Sequence, residues 1–339
     1  MPETMRAIRL TGPATLDELT PTEVPVPGPG PGQVRIQVKA FGVNESEVTS
    51  RKGESDADFS YPRVLGIEAV GVVDAVGAGV DLTPGQKVAT MMGGLGRSID
   101  GSYAEYTVID AANAIPFTTN LDWDVVGALP EMLQTAHGSL TAGLRLEAGQ
   151  TVLIHGGTST VGLTAIAIAR QLGATVIATT RNPDRFDILT YAGADHALRD
   201  DESLADSIRA IAPDGVDAAL ELVGATALPG TLSLIRPGGT VCFVGALNGQ
   251  WTIPDFSPFI IPKGVRLTSY GGDAQDLPAD ALDRYLRAIE AGTIKIVVAG
   301  TYNGLDNLAE AHRDLESGHR PGKHVVMLAN TRTPSVVDR

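Results

Sequence analysis

The hydrophobic pattern of this chain changes twice along its length. In the first third, short runs alternate apolar and polar residues between glycines and prolines, as Val34–Val38 does. A two-residue period of this kind is typical of strands with one buried face. The predicted strands are Arg6–Leu10, Val34–Val38, Ala69–Val76, Gln86–Met91 and Tyr103–Ile109. Regular short strands with turn signals between them predict an antiparallel, barrel-like β domain of about 120 residues.

The middle part alternates apolar strands with helices. It begins with two predicted helices, Trp123–Leu129 and Leu133–Leu144, and a predicted strand, Thr151–Ile154. A turn of small residues, the helix Leu163–Leu172 and the strand Thr175–Thr180 follow. The alternation continues through predicted helices Asp184–Ala192, Leu204–Ile211 and Leu228–Leu234 and predicted strands His196–Leu198, Val216–Leu222, Thr240–Val244 and Val265–Tyr270. This order predicts an α/β fold with a doubly wound parallel sheet of the Rossmann type.

The last part is too short to form a domain of its own. It contains the predicted elements helix Leu277–Ala291, strand Val297–Tyr302, helix Leu305–Ser317 and strand His324–Leu328. We expect it to return to the N-terminal β domain, so that the parallel-sheet domain is an insertion. The predicted domains are 1–127 plus 272–339, and 128–271. A tail of such composition, Asn330–Arg339, is expected to be frayed.

The turn after Thr151–Ile154 has the composition of a phosphate-binding loop. Its sequence is Gly156-Gly157-Thr158-Ser159-Thr160-Val161-Gly162, with serine at the place where a third glycine is usual. Small residues let the backbone approach a pyrophosphate, and the N–H groups that open the following helix attract its charge. The alternative is a tight strand-to-helix turn, which any α/β protein can contain. The strand–turn–helix–strand context favours a dinucleotide site.

The end of the second strand of this unit bears on the choice of cofactor. Enzymes that prefer NAD usually carry an acidic residue there, which accepts a hydrogen bond from the ribose 2′-hydroxyl. This chain instead has Thr179-Thr180-Arg181-Asn182, with Arg185 one turn further on. A guanidinium suits a 2′-phosphate. The pattern predicts NADPH over NADH, and the alternative is a solvated arginine at a helix start.

Composition narrows the classes of partner. The formal net charge is −14, which argues against nucleic acid and anionic membrane as partners because both are polyanions. The one cysteine, Cys242, lies in an apolar run and is expected to be a buried strand residue. It allows neither a disulfide framework nor a multi-cysteine zinc lobe. No run has the pattern of a signal peptide or the length of a membrane span, so we expect a cytosolic protein.

Several motifs in one order resemble a known family. The segments GIEAVGVVDAVGAGV, GSYAEY, VLIHGGTSTVGLTAIAIARQLGA and GKHVVML follow each other in this order. They resemble the medium-chain dehydrogenase/reductase superfamily, in its zinc-independent quinone oxidoreductase branch, over about residues 5 to 329. The resemblance implies a Rossmann domain inserted in a GroES-like β-barrel catalytic domain. It also implies homodimers formed through edge strands of the nucleotide domain, for which Val265–Tyr270 is the candidate.

The resemblance also bears on metal and mechanism. The zinc-dependent branch holds its catalytic metal at positions that correspond here to Asn44, Ile67 and a residue near His137, and neither Asn44 nor Ile67 is a zinc ligand. Without a Lewis acid, the expected acceptor is a quinone or an α,β-unsaturated carbonyl, which delocalises negative charge onto oxygen. The resemblance implies that the Asn44 amide donates to a carbonyl oxygen or orients the nicotinamide. The alternative is a turn residue.

A proton donor is harder to assign. Tyr61 is the candidate named by residue type, with Tyr302 as a second, although each is also suited to packing. Solvent is the alternative source of the proton.

The resemblance assigns the cofactor contacts residue by residue. Thr135 is expected under the nicotinamide, and Arg181 and Arg185 at the 2′-phosphate. The other expected cofactor-binding positions are Gly156, Thr158, Ser159, Thr160 and Val161 around the pyrophosphate and Val223, Gly245, Leu247 and Gly271 toward the nicotinamide.

The resulting hypothesis is a zinc-independent, NADPH-dependent oxidoreductase that acts on a small quinone, enone or enal. Two alternatives stay open, namely a zinc-type alcohol dehydrogenase and a non-catalytic protein that binds NADPH for a structural or regulatory role.

Overall fold

The structure is a computed structural model that describes residues 3–55 and 59–328. The first of its two compact units consists of Met1–Glu131, Asp273–Leu286 and Val298–Arg339, and the second of Met132–Gly272 and Arg287–Val297. This division counts Arg287–Val297 with the second unit, whereas the sequence prediction assigned all of 272–339 to the first. The domain boundaries stay a prediction, and the predicted fraying of Asn330–Arg339 lies outside the described residues.

The secondary structure follows the predicted order. The strands are β1 (Thr4–Ala7), β2 (Arg9–Leu10), β3 (Thr22–Pro25), β4 (Gln33–Val43), β5 (Arg63–Val64), β6 (Glu68–Val76), β7 (Lys87–Met91), β8 (Tyr106–Asp110), β9 (Ile115–Pro116), β10 (Thr151–His155), β11 (Thr175–Thr180), β12 (His196–Arg199), β13 (Val216–Glu221), β14 (Ile235–Phe243), β15 (Arg266–Ser269), β16 (Val298–Asn303) and β17 (Lys323–Met327). The α-helices are α1 (Glu45–Lys52), α2 (Trp123–Gly127), α3 (Leu129–Gly138), α4 (Thr160–Gln171), α5 (Phe186–Ala192), α6 (Leu204–Ile211), α7 (Leu228–Ser233), α8 (Ala279–Glu290) and α9 (Leu308–Ser317).

The first unit is organised around the long strand β4. This strand pairs antiparallel with β6, β8 and β17, in a sheet whose order is β16-β17-β4-β6-β7-β9. Its alternating residues Val34, Ile36 and Val38 are at most 2% exposed, because the two-residue period directs them to one face. This confirms the predicted β-rich domain. It also brings the C-terminal strand β17 next to the end of β4, as the predicted return of the chain requires.

The second unit contains the predicted parallel sheet. The order is β12-β11-β10-β13-β14-β15, and every neighbouring pair runs parallel. Leu153, Ile177 and Ala219 on its central strands are fully buried, as expected where helices cover the sheet. Cys242 is buried in β14 as predicted. The Rossmann prediction is confirmed, with β10 at the centre of the sheet.

The main element that the sequence prediction missed is α1. Asn44 precedes this helix and forms a capping box with Glu47, in which each side chain binds the other residue's backbone N–H group. Glu45 and Glu47 lie in the first turn, Arg51 and Lys52 in the last, and Gly53 ends the helix with φ of 77°. Each feature favours a helix of only eight residues, although its hydrophobic pattern is weak.

Several predicted elements differ in their bounds. The strand predicted at Arg6–Leu10 is divided into β1 and β2, which pair with different strands. The helix predicted at Leu133–Leu144 ends as an α-helix at Gly138 and continues as a π-helical turn, Ser139–Gly143. The helix predicted from Leu305 starts with a 3₁₀ turn. No helix of the described ranges combines the length and apolar character needed to cross a membrane.

Candidate cofactor and active sites

The predicted phosphate turn lies between β10 and α4 and depends on two glycines. Gly156 has φ of 90°, a conformation that disfavours other residues, and its N–H donates to Oγ1 of Thr179 at 3.2 Å. A Cβ at Gly162 would lie 2.6 Å from the carbonyl oxygen of Gly156 and 2.8 Å from that of Gly157. The first turn of α4 therefore packs directly on the loop backbone. A turn held this tightly leaves the space that a pyrophosphate needs.

Ser159 has a role that the sequence prediction did not foresee. Its Oγ accepts from the N–H of Gly162 at 3.0 Å, and its hydroxyl donates to the Gly156 carbonyl at 3.0 Å. Serine is a favoured N-cap, so it replaces the usual glycine because it caps α4. The hydroxyl is therefore occupied within the turn, which argues against a direct hydrogen bond from this side chain to the pyrophosphate predicted there. Thr158, Thr160 and Val161 remain half-buried around it.

The residues predicted to lead toward the nicotinamide meet at the same edge of the sheet. The side chains of Leu247 and Val223 lie beside Gly156, within 3.5 Å of where its Cβ would be. Leu247 is 61% exposed and its N–H donates to the carbonyl of Leu222. Gly245 follows β14 and its N–H lies 3.4 Å from the carbonyl of Glu221. Four of the predicted cofactor positions are thus gathered around the carboxyl ends of β10, β13 and β14, where dinucleotides bind in such folds.

Thr135 and Gly271 are linked through their sequence neighbours Gln134 and Tyr270. Gln134, the neighbour of Thr135 in α3, is fully buried and donates through Nε2 to the hydroxyl of Tyr270 at 2.7 Å. Tyr270 directly precedes Gly271, which has no atom within 4 Å of its Cβ position. This hydrogen bond fixes α3 to the end of β15, and it leaves open space at Gly271.

The two arginines predicted to bind the 2′-phosphate follow the end of β11. Arg181 directly follows β11 and is exposed, and Arg185 is half-buried in a 3₁₀ turn, Pro183–Arg185. Within residues 3–55 and 59–328, no side chain accepts a hydrogen bond from the Arg181 guanidinium. The strand end itself carries threonines, Thr179 and Thr180, in place of the carboxylate that a ribose 2′-hydroxyl requires.

A buried histidine below the glycine turn was missed by the sequence prediction. His155 ends β10, and its Nδ1 lies 2.8 Å from Oε2 of Glu221 and 3.0 Å from Oγ1 of Thr231. Its Nε2 lies 3.3 Å from Oδ1 of Asp200, an ion-pair distance without hydrogen-bond alignment. Burial lowers the pKa of His155, but the two carboxylates outweigh this effect and raise it to about 9. The imidazole is therefore a cation at neutral pH.

Glu221 connects this histidine with the turns where the nicotinamide path is predicted. Its Oε1 accepts from the N–H groups of Val223 at 2.7 Å and Gly224 at 3.2 Å. Its backbone carbonyl accepts from the N–H of Val244 at 3.0 Å. The fully buried carboxylate of Glu221 thus orders the turn after β13, and its backbone carbonyl holds the start of the turn after β14.

The first unit contains a second buried charge cluster, around Lys323. The Nζ atom of Lys323 lies 2.6 Å from Oε1 of Glu68 and 3.2 Å from Oε2 of Glu131, and it donates to Oδ1 of Asn44. Burial lowers the pKa of Lys323, but the carboxylates of Glu68 and Glu131 outweigh it and raise the pKa above its usual value. All three N–H bonds of the ammonium have acceptors.

Asn44 is held on every polar atom of its side chain. Its Nδ2 donates to Oε1 of Glu68 at 3.0 Å and to Oε1 of Glu47 at 3.3 Å, while Oδ1 accepts from Lys323. An amide nitrogen has two N–H bonds, so neither remains for a substrate carbonyl. This arrangement argues against the predicted donation from Asn44 and gives it a positioning role at the start of α1.

Glu68 and Glu47 also accept hydrogen bonds from backbone N–H groups. Oε2 of Glu68 accepts from the backbone N–H of Glu131 at 2.9 Å, and Oε1 of Glu47 accepts from the N–H of Ile67 at 3.0 Å. Burial raises the pKa of Glu47 to about 7, although the Ile67 N–H and Lys323 oppose this shift. The cluster joins α1 and its N-cap to β6, to Glu131 in the first turn of α3, and to β17.

Tyr61 does not have the surroundings expected of a proton donor. Its hydroxyl donates to the backbone carbonyl of Ser50 at 2.5 Å, and its ring packs edge-on against Phe59 at 5.0 Å. Burial raises the pKa of its phenol. The second candidate, Tyr302, donates to Oδ2 of Asp314 at 2.6 Å. Both hydroxyls are engaged in structural contacts, so the catalytic role predicted for Tyr61 gains no support from the described residues.

The donor set at the first unit's cluster does not fit a catalytic zinc. Ile67 supplies an alkyl side chain that is 6% exposed, and the Lys323 ammonium already binds both Asn44 and Glu68. A buried ammonium repels any second cation placed beside it. In the parts of the chain that are described, no group of three His, Cys, Asp or Glu side chains is arranged to hold a metal ion. Zinc independence itself stays a prediction.

Two protein families match separate parts of the chain. Residues 30–119 match the alcohol dehydrogenase GroES-like domain, and residues 160–287 match the zinc-binding dehydrogenase family. The quinone oxidoreductase of Rattus norvegicus is 31% identical over 336 residues, which cover 96% of this chain and 98% of the relative.

Two solved structures extend the comparison to the fold. An NAD-dependent alcohol dehydrogenase is 29% identical with a TM-score of 0.85, over 96% of this chain and 100% of its own. A mycobacterial protein in complex with NADPH is 27% identical with a TM-score of 0.80, over 95% of this chain and 99% of its own.

The parallel sheet and its glycine turn, together with these relatives, define an NAD(P)-dependent oxidoreductase. The chain belongs to the medium-chain dehydrogenase/reductase superfamily, in its quinone oxidoreductase-like branch.

Proposed function

We propose that this protein uses NADPH to reduce a quinone or an α,β-unsaturated carbonyl without a catalytic zinc. The observation that carries the proposal is the Lys323 ammonium held between Asn44 and Glu68, where a zinc enzyme would need metal ligands. Without a Lewis acid, a saturated carbonyl has poor stabilisation for the charge that develops on oxygen. A quinone or enone spreads that charge through its conjugated system, so hydrogen bonds from protein or solvent are sufficient.

The residues of the second unit fit the proposed cofactor. NADPH supplies a hydride when bound. The turn Gly156–Gly162 would hold its pyrophosphate, and Arg181 with Arg185 would bind the 2′-phosphate, because a guanidinium matches phosphate geometry. Leu247 and Val223 would cover the path toward the nicotinamide with apolar surface and exclude water there. Since the Tyr61 hydroxyl and the Asn44 amide are occupied, we assign the proton to solvent.

The test is oxidation of NADPH by the EDTA-treated protein with a panel of quinones, enones and enals, followed at 340 nm. We expect turnover with members of this panel and none with saturated aldehydes or alcohols. Each reaction is repeated with NADH, for which kcat/KM should be at least about tenfold lower if a guanidinium binds the 2′-phosphate.

Other outcomes would identify the alternatives. Turnover of alcohols that disappears with EDTA and returns with Zn²⁺ would indicate a zinc-type alcohol dehydrogenase. Tight NADPH binding without turnover across the panel would indicate a non-catalytic NADPH-binding protein. A homodimer and a cytosolic location also stay predictions, and light scattering of the eluted protein tests the first of these.

A further inference from the structure

His155 links the centre of the sheet to the place proposed for the 2′-phosphate. Asp200 directly follows β12, and its backbone N–H donates to the carbonyl of Thr180 at 2.9 Å. Thr180 ends β11 and precedes Arg181. The Asp200 carboxylate therefore lies next to the strand end from which Arg181 projects, with its side chain 23% exposed.

The position of this carboxylate raises a problem for an NADPH site. Its pKa is lowered by the ion pair with His155 and, through space, by the charge of Arg181. A carboxylate in the field of Arg181 competes with a phosphate for that cation, and it also repels the phosphate directly. Left alone, Asp200 would favour NADH, as an acid near this strand end does in other dinucleotide sites.

We propose that His155 is a specificity-determining residue for NADPH, because its pairing with Asp200 neutralises a carboxylate that would compete for Arg181. The inference rests on the proposed function, since it assumes that Arg181 binds the 2′-phosphate. His155 acts through Asp200 and need not touch the cofactor. The imidazole pairs with the Asp200 carboxylate, while Arg181 stays exposed to solvent.

The groups that face His155 make it suited to this role. Glu221 and Thr231 approach Nδ1 from β13 and α7, and Asp200 approaches Nε2 from the end of β12. Glu221 is also stabilised by the N–H groups of Val223 and Gly224, so its charge does not depend on the imidazolium alone. The pKa of His155 is about 9, which keeps the cation in place at physiological pH and predicts its loss in alkaline solution.

The experiment is a double-mutant cycle with His155→Gln and Asp200→Asn, read out as Kd for NADPH and for NADH by calorimetry at pH 7.5. In His155→Gln the charge of Asp200 is uncompensated, and NADPH should bind about fivefold more weakly, the size of a partly exposed charge interaction. NADH affinity should hardly change. Asp200→Asn alone should bind NADPH at least as well as the wild type. The double variant should recover the loss.

A matched control removes a carboxylate from the neighbouring position in the chain. Asp201→Asn takes a carboxylate from the following position, whose partners are Arg199 and Ser203, and it should leave the NADPH/NADH ratio unchanged. The wild type measured from pH 7 to pH 10 should lose NADPH preference as His155 deprotonates near pH 9, and Asp200→Asn should abolish this loss. This second readout stands even if His155→Gln does not fold.

The outcomes distinguish a failure of the proposed NADPH preference from a failure of the role of His155. A wild-type protein that does not prefer NADPH would contradict the proposed cofactor and the inference with it. A wild type that prefers NADPH, but whose double variant stays as weak as His155→Gln, would overturn the inference alone. Equal weakening of NADPH and NADH in His155→Gln would show a purely structural histidine and would also overturn it.

Discussion

The Nζ atom of Lys323 lies 2.6 Å from Oε1 of Glu68, and both side chains are at most 1% exposed. Removing two charges from water costs several kcal/mol per ion, so such a pair persists only if its remaining hydrogen bonds are made. These hydrogen bonds are present here. The ammonium donates to Asn44 and Glu131, and the Glu68 carboxylate accepts from the backbone N–H of Glu131. The pair therefore joins β17, the last strand of the described chain, to β6 and α3.

Loss of the ammonium should destabilise the first unit strongly. Lys323→Met leaves Glu68 buried beside a second carboxylate, and we expect a loss of about 3–5 kcal/mol in the free energy of unfolding. Urea denaturation monitored by fluorescence measures it. Lys263→Met replaces an exposed lysine and should change stability by less than about 0.5 kcal/mol. Equal, small effects of both substitutions would show that the cluster is not coupled to folding.

A methyl group next to this pair should have a similar consequence. A Cβ at Gly42 would overlap both Cε of Lys323 and Oε1 of Glu68, so Gly42→Ala must displace a buried ion pair. We expect about 2–3 kcal/mol of destabilisation, in the range of overpacked cores. Gly12→Ala is the matched control, because nothing lies within 4 Å of its Cβ position. Thermal unfolding of the two variants measures the difference. Indistinguishable melting temperatures would contradict the predicted destabilisation by Gly42→Ala.

The fold was predictable from the sequence because its signals are local and periodic. The alternation of Val34–Val38 and the strand–turn–helix order at Thr151–Thr180 determine the two kinds of sheet. Helix α1 was missed because it depends on a capping box between Asn44 and Glu47 and not on a hydrophobic stripe. The bounds of α3 were wrong because a π-helical turn continues the same apolar pattern.

The charge clusters were not predictable in the same way. Glu68, His155, Glu221 and Lys323 each stand at or in a strand with buried neighbours, and such a residue signals that a counter-charge exists. The sequence does not say which one, since Lys323 and Glu68 are far apart in the chain. The sequence did not show that both N–H bonds of the Asn44 amide are used by glutamates. The predicted donation from Asn44 to a substrate carbonyl therefore finds no support in the structure.

The close packing at the phosphate turn predicts a specific effect on cofactor binding. Gly162→Ala places a methyl against the carbonyls of Gly156 and Gly157, so the turn must open. We expect Kd for NADPH to rise at least about tenfold, since a displacement of this kind misplaces the N–H groups that bind phosphate. Gly230→Ala in α7 meets nothing within 4 Å and should be neutral or slightly stabilising. Unchanged NADPH affinity in Gly162→Ala would place the pyrophosphate elsewhere.

The arginines make separable predictions about the 2′-phosphate. Arg181→Ala should weaken NADPH by about 1.5–3 kcal/mol, the value of a hydrogen bond to a charged group, and leave NADH nearly unaffected. Arg185→Ala tests whether the second guanidinium shares the phosphate. Arg209→Ala, on α6, removes an exposed arginine whose partner is the Ser233 carbonyl and should affect neither cofactor. If both Arg181→Ala and Arg185→Ala keep the wild-type NADPH/NADH ratio, the cofactor proposal is wrong.

The elevated pKa of His155 predicts how stability depends on pH. A histidine with pKa near 6.5 in the unfolded chain and about 9 in the fold binds its proton more tightly when folded. Its contribution is complete below about pH 6.5 and is lost as pH rises through about 9, amounting to about 3 kcal/mol over that interval. Urea unfolding at intervals from pH 6.5 to pH 9.5 should show this decline, and His155→Gln should flatten it. His196→Gln, a half-buried histidine on β12, should keep the wild-type slope. A wild-type stability that is constant across this range would mean that His155 is neutral in the fold, and Glu221 and Asp200 would then have no imidazolium as a counter-charge.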